Sequence, residues 1–264
     1  MSISALLEKN KLRVAKRVAE AEEDLDLSLF LNKESLTPRT IAEPFPHVVI
    51  DNIFTLETYT SLEQIFQENF NKGLSQSITE MDKFHPFDIE YDGYLLTPPP
   101  QHRNKTPLSV FYSVAWNMFF SRLFKQPTTF ETSLAFHHHP PGDSTGFVHH
   151  DFVDKYFDIR ARQPNMVIPF DTAPARAIPP HLFLREKRII SILFYLANPP
   201  WRSGDGGETG LYTTDQTTLA KSVAPVNNRL VAFHTSPRSF HAFQSNTLPR
   251  NCIVQWFHMP EEFL

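Results

Sequence analysis

The chain has 264 residues, with 25 Lys+Arg against 29 Asp+Glu for a formal net charge of −4, which excludes a basic protein that coats nucleic acid. With 41% hydrophobic residues, 24 Phe among them, it has apolar surface for one large core, which excludes a disordered chain. A single Cys excludes an internal disulfide, and no apolar run of about 18 residues or signal-peptide-like start is present, so we expect a cytoplasmic protein with no membrane partner.

Residues 3–27 read as an amphipathic helix with Leu7, Val14, Val18, Ala21 and Leu25 along one stripe. Its first half is basic (Lys9, Lys11, Arg13, Lys16, Arg17) and its second acidic (Glu20, Glu22, Glu23, Asp24, Asp26), and we expect it to dock on its own domain rather than on a partner. The opening strand, 43–50, is approached through prolines, and Asp51-Asn52 turns it into a helix capped by Thr55 that buries Tyr59, Leu62, Phe66 and Phe70. After a loop around Pro98-Pro99-Pro100, a third helix over 107–125 starts at Pro107, as first-turn prolines prefer, and carries Leu108, Phe111, Val114, Ala115, Met118 and Phe119. From 128 onward β-prone runs follow one another at 128–139, 147–153, 188–196, 208–212, 229–234, 239–243 and 250–258, each bounded by Pro, Gly, Asn or Ser. No helix-length segment interrupts them, so parallel βαβ units are excluded in favour of a mainly β fold with flanking helices. Its core is a double-stranded β-helix, or jelly roll, buttressed by the N-terminal α-helices. We divide one domain, 1–264, into a helical extension (1–42), the opening strand and supporting helices (43–127), and the jelly-roll core (128–264), which contains a lid-like insertion at 152–187.

Twelve His raise the question of a metal, which composition cannot answer. The run Phe147-Val148-His149-His150-Asp151 gives it content, because residues two apart on a strand share a face, so His149 and Asp151 project together while His150 points away. An imidazole and a carboxylate are two of the three ligands of the 2-His-1-carboxylate facial arrangement of non-haem Fe(II), which leaves open positions for co-substrate and O2. His241 and His234 compete for the third place, and only His241 is followed by an arginine at a suitable offset. A hairpin through Ser245-Asn246-Thr247 would bring Arg250 back beside His241, with Arg250, Cys252, Val254 and Trp256 on one face. An arginine entering an apolar barrel needs an anion, and a dicarboxylate reaching from the metal would supply one.

These residues resemble the Fe(II)- and 2-oxoglutarate-dependent dioxygenases of the prolyl-4-hydroxylase-like class. The resemblance rests on His149-x-Asp151, on Arg188-Ile-Ile-Ser-Ile-Leu-Phe-Tyr195-Leu-Ala-Asn198, on Gly206-Gly207-Glu208-Thr209, and on His241 followed by Arg250 and Trp256. Within the class, the Arg188 to Leu196 strand, the Asn198-Pro-Pro-Trp201 turn and the Ser236-Pro237-x-Ser239-Phe240-His241 run look most like the branch that hydroxylates a prolyl residue of a ribosomal protein. The chain departs from that branch in lacking a second barrel and in carrying the 152–187 insertion. The resemblance implies that His149, Asp151 and His241 hold Fe(II), and that Arg250 pairs with the distal carboxylate of 2-oxoglutarate. Tyr195, which shares a strand face with Ser191 and Leu193, would place its phenol on the same carboxylate, Ser191 is expected with it among the co-substrate residues, and His139 lies near where relatives place a tyrosine on the co-substrate. The implied requirements are Fe(II), 2-oxoglutarate and O2, with ascorbate as a further candidate. The implied reaction couples decarboxylation of 2-oxoglutarate to succinate and CO2 with hydroxylation of an aliphatic C–H.

Blander readings stand beside these. The run His137-His138-His139 is more simply an exposed tract than a metal site, Cys252 a small buried hydrophobe, and Glu208 an exposed loop carboxylate. Trp256 either lines the substrate pocket or fills the barrel. The insertion, with five prolines and Lys155, Arg160, Arg162, Arg176, Arg185 and Lys187, is either a lid that recognises a carboxylate or a solvated loop. The expected substrate is a prolyl residue of a protein or peptide, the alternative being a free amino acid or small amino-acid-derived metabolite. A non-catalytic jelly-roll binding module predicts a broken triad or a missing anchor arginine, and the sequence shows neither. A metal enzyme of the cupin type that does not use 2-oxoglutarate would leave Arg250 and Tyr195 without a role.

Overall fold

Alternation along three long strands fixes the architecture. In β7 (Phe183–Tyr195), Ile190, Ile192 and Phe194 face one way and Ser191, Leu193 and Tyr195 the other. In β10 (Arg229–His234), Leu230 and Ala232 oppose Val231 and Phe233, and in β12 (Arg250–Pro260) Ile253 and Phe257 oppose Cys252 and Val254. The first set packs against the helices in the main core, and the second lines the space between two sheets. This computed structural model describes residues 25–77, 79–87, 92–98, 106–126, 131–158, 169–170 and 183–260.

The larger sheet runs β1-β10-β7-β12-β4-β3-β2, where β1 is His47–Ile50, β2 His85–Pro86, β3 Tyr94–Leu96 and β4 Glu131–His139. The first half of β7 is flanked instead by β5 (Asp154–Asp158), which in turn pairs with β6 (Pro169–Phe170). The smaller sheet runs β11-β8-β9, from β8 (Thr209–Tyr212), β9 (Leu219–Val223) and β11 (His241–Phe243). Two facing sheets with helices on the outside of the larger one make the expected jelly roll. Helix α1 (Leu56–Phe70) is capped by Thr55, whose hydroxyl accepts from the Thr58 amide, and it buries Leu62 and Phe66. Phe54, Phe111, Trp116 and Phe194 form an aromatic knot at the centre of the helical side, with Phe54 and Phe194 centroids 4.9 Å apart. No helix among the described residues is long and apolar enough to cross a membrane.

Several expectations need correction. The third helix is two pieces, a 3-10 turn at Leu108–Tyr112 and α2 at Val114–Leu123, because the Ser113 side chain caps the Trp116 amide and restarts the helix. Residues 147–153 make a single bridge, His149 to His241, before the chain turns at Asp151 to begin β5. No hairpin joins β11 to β12; they lie in different sheets, so Arg250 pairs with His139 while His241 pairs with Leu211. The two ends of the 152–187 insertion are strand rather than loop, since β5 pairs with the start of β7. Strand β9 went unforeseen because it is an exposed edge whose residues lack apolar alternation. The expected helix 3–27 lies outside the described residues apart from its end, where Asp26 caps a 3-10 turn at Leu27–Leu29.

Candidate active site

The bridge between His149 and His241 is the foundation of the site. Their backbones exchange hydrogen bonds of 3.0 and 2.8 Å, which sets the two rings side by side with centroids 4.4 Å apart. Asp151, two residues on, closes the group, and one ligand atom from each of His149, Asp151 and His241 lies within 4.8 Å of the others. Each imidazole is oriented from behind. His149 Nδ1 donates to the Phe147 carbonyl at 2.9 Å and His241 Nδ1 to that of Ser239 at 3.1 Å. A carbonyl only accepts, so Nδ1 carries the proton on both rings, and both Nε2 lone pairs remain for a metal.

Three donors from two strands of the larger sheet converge on Asp151. Arg188 Nη1 donates to Oδ1 at 2.8 Å, while Ser191 Oγ and Trp256 Nε1 donate to Oδ2 at 2.7 and 2.8 Å. The Arg188 guanidinium also lies 4.0 Å over the Trp256 ring. Burial pushes the Asp151 carboxyl up, but Arg188, His241, His149 and the Ser191 hydroxyl outweigh it and hold the group well below the usual carboxylate range. Burial, followed by the charge of His149, pushes His241 down to about 4 despite Asp151. An ionised carboxylate beside imidazoles with free Nε2 atoms is the state in which these side chains bind a divalent cation, so the donor set fits Fe(II). His234 is not part of the group; it sits on β10 opposite Ile190.

Arg250 occupies the other end of the inter-sheet space, only 3% exposed. Its Nη2 donates to Thr209 Oγ1 at 3.2 Å, the same oxygen that meets the Tyr195 hydroxyl at 2.7 Å, and its Nη1 lies 3.1 Å from Cys252 Sγ. The rings of Tyr195 and Phe243 flank the guanidinium at 5.3 and 5.5 Å. Gly207, just before β8, lies beside the Arg250 side chain with φ +78°, a backbone conformation that favours glycine. A buried guanidinium among a hydroxyl, a phenol, a thiol and a phenyl ring is a cradle for an anion.

The expected co-substrate residues divide in two. Tyr195 and Arg250 meet through Thr209, and His139 flanks Arg250 across the β4–β12 pair, stacked on Phe243 at 4.0 Å with Nδ1 3.2 Å from Asp143. Ser191 instead serves Asp151. Cys252 is fully buried, and burial raises its thiol pKa. Sequence reasoning assigned no role to Thr209 and none to Arg188 as an Asp151 donor. Thr209 stands in the Gly-Gly-Glu-Thr motif already quoted, and Arg188 at the head of the strand carrying Ser191 and Tyr195.

Part of the chain is similar to known proteins. Residues 134–258 match the family described as the 2OG-Fe(II) oxygenase superfamily. Among curated proteins, the chain is 36% identical over 88 residues to prolyl 3,4-dihydroxylase OGFOD1 of Ostreococcus tauri, covering 29% of this chain and 17% of that protein. It is 38% identical over 82 residues to mouse prolyl 3-hydroxylase OGFOD1, covering 28% of this chain and 15% of that protein. The matched segment is thus less than a fifth of either relative. Two solved structures share the fold. A Pseudomonas putida prolyl-4-hydroxylase has TM-score 0.52 at 16% identity, over 80% of this chain and 91% of its own. A Trichoplax adhaerens prolyl hydroxylase, in complex with a hypoxia inducible factor peptide fragment, has TM-score 0.53 at 14% identity, over 99% and 95%.

Proposed function

We propose, from the match of residues 134–258 to the 2OG-Fe(II) oxygenase superfamily, that the chain is an Fe(II)/2-oxoglutarate-dependent hydroxylase acting on a prolyl residue of a protein or peptide. The observation that supports this reading is that one face of β12 connects two groups, carrying the buried Arg250 cradle at one end and, further along, Trp256, whose indole bonds Asp151 of the His149, Asp151 and His241 group. Strand β12 links them, presenting Arg250 at one end of its inner face and Trp256, bonded to Asp151, toward the other. His149, Asp151 and His241 would hold Fe(II), and Arg250 with Tyr195 and Thr209 would take the distal carboxylate of 2-oxoglutarate. When bound there, Fe(II) with 2-oxoglutarate and O2 would supply the oxidising power to hydroxylate an aliphatic C–H, with 2-oxoglutarate converted to succinate and CO2.

The chain's own residues bind, orient and exclude water. Arg188, Ser191 and Trp256 fix Asp151 in its ionised form, and the Phe147 and Ser239 carbonyls fix both imidazole tautomers. The apolar residues Leu193, Leu211, Val231, Phe233 and Val254 keep the inter-sheet space dry. Support for a prolyl target comes from the sequence relatives, whose names specify prolyl hydroxylation.

The test adds Fe(II) and 2-oxoglutarate anaerobically, reads the visible charge-transfer band, then admits O2 and assays succinate with proline-bearing peptides and with free amino acids. A band followed by peptide-stimulated succinate release supports the reading. Stimulation by free amino acids alone would move the substrate to the small-molecule class, and no band in Fe(II)-loaded protein would overturn the assignment. Arg250→Leu is expected to weaken 2-oxoglutarate binding while sparing Fe(II); equal loss of both would make that residue structural.

A further inference from the structure

In register with Arg250, Cys252, Val254 and Trp256 of β12, β4 turns His139, His137, Ala135 and Ser133 toward the space between the sheets, and three of these are accounted for. Ser133 bonds His258 Nε2 at 2.7 Å, Ala135 is apolar, and His139 is held by Asp143 and Phe243. His138 points to the opposite face, where its Nδ1 meets Asn251 Oδ1 at 2.7 Å among the rings of Phe70, Phe84 and Tyr94. His137 differs from both neighbours. Its ring is positioned by aromatic contacts, edge-on to Phe87 at 4.9 Å and tilted against Trp256 at 6.1 Å, and its nitrogens bond to none of the described residues.

Its place in the register gives it meaning. His137 pairs with Cys252, one inward-facing rung from the Arg250–His139 pair on the path toward Trp256 and Asp151. A ligand held by Arg250 at one end and by a metal on the triad at the other passes over this rung. We propose that His137 is a co-substrate-binding residue that donates a hydrogen bond to the metal-chelating carboxylate of 2-oxoglutarate; this rests on the function proposed above. Burial, His139, Arg250 and Arg188 all hold the imidazole far below its ordinary pKa, with Asp151 opposing, so the ring is neutral and offers one donor and one acceptor. A neutral donor between two guanidiniums adds direction to a site whose charge is already supplied.

His137→Phe keeps the ring contacts and removes the nitrogens, and His137→Gln returns a donor. Anaerobic titrations of Fe(II)-loaded protein would use 2-oxoglutarate and pyruvate, which keeps the chelating keto-acid head and lacks the distal carboxylate. The expected result is about tenfold weaker binding of both in His137→Phe, the scale of one hydrogen bond to a charged group, with a displaced charge-transfer band. Fe(II) affinity in a metal-competition assay stays unchanged, and His137→Gln recovers most of the loss. Should His137→Phe fail to fold, His137→Leu serves the same comparison. Unchanged binding of both ligands overturns the proposal, as does a loss confined to 2-oxoglutarate, which would put His137 at the Arg250 end. Absence of the band in the wild-type protein would overturn the underlying function instead, and is distinct from a band shared equally by wild type and variant.

Discussion

Replacing Arg188 with Met tests whether the guanidinium holds Asp151 or merely lies beside it. The Met side chain retains apolar packing over Trp256 and removes the charge. Arg188 and Asp151 side chains are 15% and 8% exposed, and their 2.8 Å contact is charge-assisted, so the pair is a buried one. Removing one partner of such a pair costs about 3–5 kcal/mol. The low end, about 3 kcal/mol, applies because the Ser191 and Trp256 donors stay on Oδ2. At roughly 2–4 °C per kcal/mol for a chain of this size, the metal-free protein should melt about 6–12 °C lower. The Asp151 carboxyl is depressed in the folded state, so its stabilising contribution is present above the ordinary carboxylate pKa and is lost as pH falls through the folded value. The gap between wild type and Arg188→Met is therefore widest near neutral pH and narrows below about pH 4. Urea unfolding in the presence of EDTA, run as a double-mutant cycle with Asp151→Asn, measures the coupling, expected at about 2 kcal/mol. A loss under about 0.5 kcal/mol, or strict additivity in the cycle, would show that Arg188 does not stabilise the carboxylate.

Thr209→Val removes the hydroxyl that joins Arg250 to Tyr195 at nearly constant volume, so 2-oxoglutarate should bind about tenfold more weakly while Fe(II) affinity holds. Unchanged co-substrate affinity in an anaerobic titration would remove Thr209 from the anion cradle. Burial and the neighbouring Asp92 push Asp143 up from 3.8 to about 6, with His138 opposing. An acid with a raised folded pKa stabilises the fold at low pH and loses that contribution as pH climbs through the folded value, so Asp143→Asn should match wild type in Tm near pH 4 and exceed it above pH 7. An identical Tm difference at both pH values would contradict that assignment.

Period-two reasoning read the long strands well and the segment with the candidate ligands His149 and Asp151 only in part, and the difference is physical. On β12 the inner face of Arg250, Cys252, Val254 and Trp256 follows from alternation alone, because both neighbours, β4 and β7, hold the strand extended over its whole length. Residues 147–153 have one bridge where a strand was expected, yet His149 and Asp151 still converge. Pairing with His241 at that one rung aims the first ligand, and the turn that follows returns Asp151 to Arg188, Ser191 and Trp256. Those three donors stand 37, 40 and 105 residues away along the chain, beyond the reach of any local pattern. The proposed metal-ligand set was legible because such chemistry restricts residue type and spacing. The residues that make Asp151 an anion were not, because hydroxyl, indole and guanidinium donors are interchangeable for that purpose and only the folded register selects among them. The same argument explains the His137-His138-His139 run, in which three identical side chains acquire three environments from alternation and cross-strand partners. Identity of residue type therefore carried no information there, and position on the sheet carried all of it.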